Sequence, residues 1–162
     1  MLNAFVIFDP VFDKEGKFIS YRFVYINKAY ETITGVKNDA VKGKTIHEVW
    51  PKTEPSWVEK YGHVSTTGET LVFNNYHEPT KKVYHCRVFK PWKDSKRFCV
   101  VFDDITECQK SEIELKQGEK KYKNLITTMM NAFGLHEMIF DDNGKPVDYR
   151  FLEVNPVWEK VV

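Results

Sequence analysis

Two histidines and a glutamate in the middle of the sequence have the residue types of a metal site. His77, Glu78 and His85 surround one predicted β-hairpin. A metal ion needs at least three protein ligands in a fixed geometry, and a surface turn that these residues merely flank does not supply it. We therefore predict no metal at these residues.

A second histidine and glutamate have the residue types of a kinase phosphoacceptor helix. His136 and Glu137 lie in "LHEM" near the end of the chain. This stretch aligns with "IFDP" in the first predicted strand, so a strand histidine is the simpler interpretation. Elsewhere we can name neither a nucleophile with a neighbouring base nor a carboxylate pair. We therefore expect no catalytic residue and no enzyme activity.

Strand alternation indicates where a ligand could bind. Tyr84 and Cys86 share one face of a predicted strand, because successive side chains alternate across a sheet. We expect that face to meet aromatic side chains from the helices. The candidate cavity residues are Trp57, Tyr61, Asn75, Tyr84 and Cys86, and the ligand would be a small organic molecule that the sequence does not identify. The alternative is a close-packed core without a cavity.

Periodicity and turn residues predict the elements that position these side chains. Residues 4–8 and 21–26 are β-rich and are separated by "FDKEGKF", whose Asp and Gly suit a tight turn. Residues 71–77, 82–90 and 97–103 form three further β-rich stretches, separated by "EPTK" and "PWKDS". This order predicts an α+β fold: a five-stranded antiparallel sheet with short helices inserted between strands 2 and 3.

Capping residues indicate where the helices begin and end. Asn27 precedes "KAYETITG", in which apolar residues recur at helical spacing, so Asn27 is the predicted N-cap and Gly35 the stop. Ser56 is the predicted cap of a later helix that ends at Gly68. Between these two helices, glycine and proline favour short helical turns.

The sequence repeats its own beginning. Residues 1–34 align without a gap with residues 129–162, and thirteen of the thirty-four positions are identical, where unrelated sequences would share roughly two. We predict one domain over residues 1–106 that lacks its N-terminal cap helix, and a signalling or linker helix over residues 107–131. Residues 132–162 would form the first hairpin and helix start of a truncated second copy.

Composition narrows the function classes. The 24 basic and 23 acidic side chains are dispersed along the chain, which disfavours nucleic acid as a partner. Apolar runs are shorter than the roughly 20 residues that span a bilayer, and the first residues lack a signal-peptide pattern. Three cysteines without a CxxC motif argue against a disulfide framework or structural zinc. We expect a cytoplasmic module with no membrane segment.

A heptad pattern follows the last predicted strand. Apolar or small residues recur at a spacing of three and four, with charged residues between them, which is typical of a coiled-coil seam in a homodimer. The alternative is a single solvated helix. The seam consists of Cys108, Ser111, Leu115, Gly118, Tyr122, Leu125 and Met129.

Five stretches in this order resemble a PAS sensory domain. They are "YRFVYINKAYETITG", "VKGKTIHEVWP", "TGETLVFNNYHEP", "KKVYHCRVFKP" and the closing "DITE", and "DYRFLEVNPVWEKVV" repeats the first of them. The resemblance implies a tandem PAS fragment of a bacterial or archaeal signalling protein. A sensor histidine kinase or a cyclic-dinucleotide enzyme is the usual parent, and its output domain would lie in cis.

The resemblance also implies a role for the residues around and after "DITE". A PAS domain usually senses a ligand or partner and passes a conformational change along its C-terminal helix, here through Asp104, Thr106, Leu115, Gly118 and Tyr122. The alternative is a dimerisation or scaffold module that binds no ligand.

Haem and flavin are not expected as cofactors. The position that carries a histidine ligand in haem-binding PAS domains is occupied by Trp57, and the stretch that carries the reactive cysteine of flavin-binding ones reads "GKTIHEVWPKT".

Overall fold

The structure of this chain is a computed structural model that describes residues 3–161, so Met1 and Val162 of the predicted repeat lie outside the described residues. The chain divides into two compact units, unit 1 (Met1–Gln109) and unit 2 (Lys110–Val162). In chain order the elements are β1 (Ala4–Phe12), β2 (Phe18–Ile26), α1 (Lys28–Thr34), α2 (Asn38–Val41), α3 (Ile46–Val49), α4 (Pro55–Thr67), β3 (Leu71–His77), β4 (Lys82–Phe89), β5 (Phe98–Asp104), α5 (Thr106–Thr128), β6 (Gly134–Phe140), β7 (Pro146–Val154) and α6 (Trp158–Val161).

Unit 1 is built on one antiparallel sheet with the strand order β2-β1-β5-β4-β3. The helices α1 to α4 connect β2 to β3. The predicted α+β fold, with five antiparallel strands and short helices between the second and third, is confirmed. The predicted strand bounds are shifted by one residue at the end of β4 and at both ends of β5, whereas β1 continues four residues beyond the predicted stretch 4–8 and β2 begins three residues before the predicted stretch 21–26.

The β1–β2 hairpin turns where the sequence predicts it, because Asp13 organises the turn. Asp13 Oδ1 accepts hydrogen bonds from the N–H groups of Glu15 and Lys17, at 2.9 and 2.8 Å. Gly16 has φ = 81°, a left-handed conformation that glycine adopts without steric cost. The short polar side chain and the glycine therefore fix the reversal locally.

Two helices begin and end close to their predicted caps, with one correction. Asn27 caps α1, and Gly35 ends it in the left-handed conformation. Gly68 ends α4 in the same way. The prediction that Ser56 caps α4 is wrong: Glu54 is the N-cap and Pro55 is the first helical residue, a position where the missing N–H of proline costs nothing.

The core of unit 1 lies between the sheet and the helices and is largely aromatic. Phe8 packs against Tyr21, Phe23 and Phe98 with ring centroids 4.7, 4.9 and 5.4 Å apart. Such pairs contribute about 0.5–1.5 kcal/mol beyond the apolar area that they bury. The strand face predicted for Tyr84 and Cys86 is confirmed, because both are buried, and Val88, Phe98, Val100 and Phe102 are buried with them.

Asn27 also ties β1 to the start of α1. Its Oδ1 accepts hydrogen bonds from the N–H groups of Phe5 and Tyr30, at 3.0 and 2.9 Å, and its Nδ2 donates to Asn3 O at 3.0 Å. One side chain thus satisfies a strand donor and a helix N-terminal donor, which would otherwise remain unpaired.

Unit 2 reproduces this arrangement at the offset of 128 residues. Asn155 Oδ1 accepts hydrogen bonds from the N–H groups of Phe133 and Trp158, at 2.9 and 3.0 Å, and Asn155 Nδ2 donates to Asn131 O at 2.9 Å. Asp141 organises the β6–β7 turn as Asp13 organises the first. The sequence repeat is therefore a repeat of hydrogen-bonding geometry.

Candidate functional site

A small cavity lies between the sheet and the helices of unit 1. Its volume is about 40 Å³, and Trp57, Tyr61, Tyr84 and Cys86 line it, as the sequence analysis proposed. This volume has room for about three water molecules, whereas pockets for drug-sized ligands measure roughly 300–1,000 Å³. We left open whether this region is a close-packed core or a ligand cavity. The structure has neither a core without any cavity nor a pocket of the size that takes drug-sized ligands.

Asn75 is the one candidate cavity residue that does not line this cavity. Its Oδ1 accepts a hydrogen bond from Lys60 Nζ at 3.2 Å, and its Nδ2 donates to Ser56 Oγ at 3.0 Å. Asn75 therefore connects β3 to the side of α4. We included Asn75 as a polar residue that could orient a ligand, but β3 is an edge strand, and Asn75 meets α4 instead.

Three tyrosines line the cavity with their hydroxyls unpaired by protein. Tyr21, Tyr30 and Tyr61 are between 2% and 5% exposed. Within residues 3–161, these three hydroxyls form no hydrogen bond to protein, and they are not among the fully enclosed atoms without a partner, which are Ser20 Oγ and Ser65 Oγ, so each oxygen keeps some surface that water can reach. Burial, and then the charges of neighbouring groups that include Cys86, raise the pKa of each phenol well above its ordinary value. The three hydroxyls thus stay protonated and are hydrogen-bond donors to whatever occupies the cavity.

A chain of hydrogen bonds runs along another part of the wall. Tyr84 Oη donates to Thr80 Oγ1 at 2.9 Å, and Thr80 Oγ1 lies 2.9 Å from His77 Nδ1. Thr80 Oγ1 also donates to the His77 carbonyl oxygen at 3.4 Å. The other ring nitrogen of His77, Nε2, lies 3.4 Å from Thr53 Oγ1.

His77 corrects an expectation from the sequence. We expected it at the surface of a turn, but it is 5% exposed and its ring packs against Trp50, Trp57 and Tyr84. Burial lowers the pKa of His77 to about 4, although the Glu54 carboxylate opposes the shift. The imidazole is therefore neutral at physiological pH.

The arrangement of His77, His85 and Cys86 does not favour metal binding or thiol chemistry. His77 points into the core, whereas His85 lies on the opposite, exposed face and contacts Asn74. No group of three potential metal ligands occurs among the described residues. Burial raises the pKa of the Cys86 thiol to about 12, so Cys86 remains a thiol, which is a poor nucleophile.

Trp57, the residue that we matched to a haem ligand, connects two elements through hydrogen bonds of its indole. Its indole Nε1 donates to Glu54 Oε2 at 3.1 Å and to Tyr76 O at 3.2 Å. The other carboxylate oxygen of Glu54 accepts from the Glu78 N–H at 2.6 Å. Trp57 and Glu54 therefore join the start of α4 to the end of β3.

A second polar arrangement holds the start of α5. Asp104 Oδ2 lies 2.8 Å from Lys82 Nζ, and Asp104 Oδ1 accepts from the Thr106 N–H at 3.0 Å. Burial alone would raise the pKa of Asp104, but the hydrogen bonds from Lys82 and Thr106 lower it below its ordinary value. Thr106 Oγ1 in turn accepts from the Val83 N–H at 2.9 Å. Two of the predicted signal-transmitting residues, Asp104 and Thr106, are thus brought together.

Lys82 extends this arrangement towards the cavity. Its ammonium also donates to Ile33 O at 2.9 Å, and Ile33 precedes Thr34, which lines the cavity. The sequence analysis missed Lys82, Thr34 and His77. Alternation from Leu71 along β3 was the signal that could have placed His77 inward, but no local pattern marks the other two.

The three remaining predicted residues of the signalling helix lie exposed on α5. Leu115 is 64% and Tyr122 43% exposed. Gly118 has open space around it, since a Cβ built there meets no atom within 4 Å. Tyr122 Oη donates to Glu153 Oε2 at 3.2 Å within unit 2. No helix within residues 3–161 is both long enough and apolar enough to cross a membrane.

Comparison with protein families gives one match. Residues 11–110, more than half of the chain, match a family model described as PAS fold. No curated protein matches this chain.

Comparison with solved structures finds similar folds at low identity. A domain of an HTR-like protein from Haloarcula marismortui is 15% identical over 64% of this chain and 98% of that chain, with a TM-score of 0.46. The PAS domain from Bordetella pertussis BvgS is 24% identical over 72% and 86%, with a TM-score of 0.40. An RNA-binding light-oxygen-voltage receptor is 16% identical over 75% of this chain, with a TM-score of 0.51, and the match covers 34% of its own length. These similarities concern the fold alone.

The environment of His77 predicts a pH dependence of stability. The folded-state pKa of about 4 lies below the unfolded value of about 6.5, so the unfolded state binds a proton first as the pH falls. The free energy of unfolding should therefore decrease between pH 6.5 and 4, by up to about 3 kcal/mol. Urea titrations followed by tryptophan fluorescence would measure this loss. H77Q should remove most of it, whereas H63Q, at a half-exposed histidine, should retain it. Equal pH profiles for H77Q and the unmodified chain would contradict the prediction.

Proposed function

This chain belongs to the PAS fold family, and on that premise we propose that unit 1 is a non-catalytic sensory module that transmits a change in its core to α5. The observation that carries the proposal is the position of Lys82. One ammonium group binds both the carbonyl of Ile33 at the end of α1 and the carboxylate of Asp104 before α5.

This bridge gives the cavity wall a short physical connection to the signalling helix. Tyr30 and Thr34 line the cavity from α1, and a shift of either moves the Ile33 carbonyl. Hydrogen bonds to charged groups contribute roughly 1.5–3 kcal/mol. Loss of one of the two contacts of Lys82 is therefore enough to change the ratio between molecules in which the start of α5 is docked and molecules in which it is released by about tenfold or more.

The chemistry of the core supports a module without enzyme activity, haem or flavin. Cys86 is held as a thiol and His77 as a buried neutral imidazole. A volume of about 40 Å³ is far below the size of pockets for organic cofactors. We propose no nucleic-acid partner, since basic and acidic residues are balanced, 24 against 23.

We further propose that the chain is part of a tandem PAS arrangement. Asn155 repeats the hydrogen bonds of Asn27, and the bulges of the β6–β7 hairpin fall at the positions equivalent to those of β1–β2. In unit 2, Tyr149 and Phe151 are about half exposed, whereas their counterparts Tyr21 and Phe23 are buried. Side chains of the kind that unit 1 buries in its core are thus exposed in unit 2, as expected for the first hairpin of a PAS domain when its other strands do not cover it.

The parent protein and its location belong to the same proposal. A bacterial or archaeal sensor histidine kinase or cyclic-dinucleotide enzyme, with its output domain in cis, is the usual setting for tandem PAS domains. The cysteines Cys86, Cys99 and Cys108 are all free thiols, which is typical of a reducing compartment. This supports a cytoplasmic location.

A homodimer through α5 completes the proposal, and it also supports the alternative of a ligand-free dimerisation or scaffold module. Four large seam residues, Leu115, Tyr122, Leu125 and Met129, are between 42% and 64% exposed. Their spacings of seven, three and four residues are those of a coiled coil, in which an identical helix covers the seam, and Met129 directly follows the last residue of α5. A ligand-free dimer would keep this seam without any response of α5 to the cavity.

The proposed seam predicts a difference between two equally exposed residues of α5. Leu115 lies in the seam and Ile113 outside it, and their side chains are 64% and 54% exposed. L115K should raise the dimer dissociation constant by about tenfold or more, because it places two like charges in the seam. I113K should change that constant less than twofold. Sedimentation equilibrium would measure both, and equal effects would exclude the seam as the dimer interface.

The proposed transmission predicts that the Lys82–Asp104 contact restrains the first turn of α5. D104N preserves the shape of the side chain but removes its charge, so amide hydrogen exchange in residues 107–112 should become about tenfold faster. D9N is the matched control, since Asp9 forms an ion pair with Arg97 at the same distance of 2.8 Å near the other end of β5. If D104N leaves exchange in this segment as slow as D9N does, the contact does not couple the core to the helix.

A further inference from the structure

The wall of the cavity is rich in hydrogen-bond donors and poor in charge. The hydroxyls of Tyr21, Tyr30 and Tyr61 reach the cavity without an acceptor among the described residues. The hydroxyl of Tyr84 is already used, because it donates to Thr80. A tyrosine hydroxyl inside a protein usually finds a partner, and the oxygens of these three keep some water-accessible surface, since among the described residues only Ser20 Oγ and Ser65 Oγ are fully enclosed without a partner. The cavity contents must therefore supply acceptor atoms.

We propose that this cavity binds a small uncharged molecule, of about four non-hydrogen atoms, through a carbonyl oxygen whose two lone pairs accept hydrogen bonds from two of the hydroxyls of Tyr21, Tyr30 and Tyr61. Short amides and ketones have this chemistry. The inference rests on the proposed sensory function and names the class of ligand to which the module responds.

Charge at the site disfavours ionic ligands. No lysine or arginine of the described chain lines the cavity, so an anion would lose its hydration without gaining a counter-ion. A cation would meet four protonated phenols and the neutral His77. The Glu54 carboxylate, whose charge acts on Tyr21 and His77, is already bound by the Trp57 indole and the Glu78 N–H. A neutral acceptor is the class that pairs with the tyrosines at the least cost in solvation.

Size and polarity together exclude the other neutral classes. A volume of about 40 Å³ corresponds to about three water molecules, which excludes ring-containing metabolites. A purely apolar molecule of the same size would leave all three hydroxyls unpaired. Thr34 and Trp50 are the half-buried members of the wall, and they mark the side from which a small ligand reaches the cavity.

Three molecules of nearly identical shape separate these possibilities. Acetamide is a neutral acceptor, acetate is the anion of the same shape, and isobutene is its apolar counterpart. Each would be titrated into the full chain at pH 7 while the backbone amide resonances of Cys86 and Phe102, which line the cavity, are followed by NMR. Acetamide should give saturable shifts, with an affinity at least tenfold higher than that of acetate or isobutene.

Isosteric variants assign the binding to the phenols. At least two of the variants Y21F, Y30F and Y61F should each weaken acetamide binding about fivefold, the loss of one ordinary hydrogen bond. Y76F, at an exposed tyrosine, should change it less than twofold. Unchanged binding in all three cavity variants, tighter binding of isobutene or acetate, or no saturable shift because the cavity holds only water would each overturn the inference.

The acetamide titration and the D104N exchange experiment together distinguish a wrong ligand class from a wrong proposed function. If acetamide does not bind but D104N still accelerates exchange at the start of α5, the transmission stands and the ligand class is wrong. If acetamide binds through the tyrosines but D104N has no effect, the binding site stands and the proposed transmission is wrong.

Discussion

The ammonium group of Lys82 joins three parts of unit 1 that are distant in sequence. It reaches the carbonyl of Ile33 at 2.9 Å and the carboxylate of Asp104 at 2.8 Å. Lys82 itself is the first residue of β4. Its ammonium therefore connects the start of β4 to the end of α1 and to the end of β5. Because the Lys82 side chain is only about one-third exposed, water replaces either contact poorly, and the position of each element constrains the others.

The aromatic core determines what such a junction can respond to. Rings fill the space between sheet and helices so completely that only about 40 Å³ remains. The residues around this space are polar at their tips, and burial keeps Tyr84, with a pKa of about 12, and His77, with a pKa of about 4, in their neutral forms. A neutral and densely packed wall transmits small displacements, because close-packed side chains cannot absorb them. Packing and sensing thus use the same residues.

The sequence predicted features that depend on residues close by in the chain. It missed features that depend on which other element covers a residue in the folded domain. Asn27, Gly35 and the Asp13 turn act through backbone groups a few residues away, and their roles were predictable. Alternation assigned Tyr84 and Cys86 to the inward face. Asn75 was included as a polar residue that could orient a ligand, and no local pattern shows that α4 occupies the space in front of it. His77 was misplaced because its neighbour Glu78 begins a turn.

The central claim is that the contents of the cavity and the start of α5 are energetically coupled. Amide hydrogen exchange of residues 107–112, measured with and without saturating acetamide, tests this claim most directly. The account predicts that acetamide changes the exchange rate of this segment at least threefold in the unmodified chain, and that D104N abolishes the change. Exchange that is identical with and without bound acetamide in the unmodified chain would contradict it.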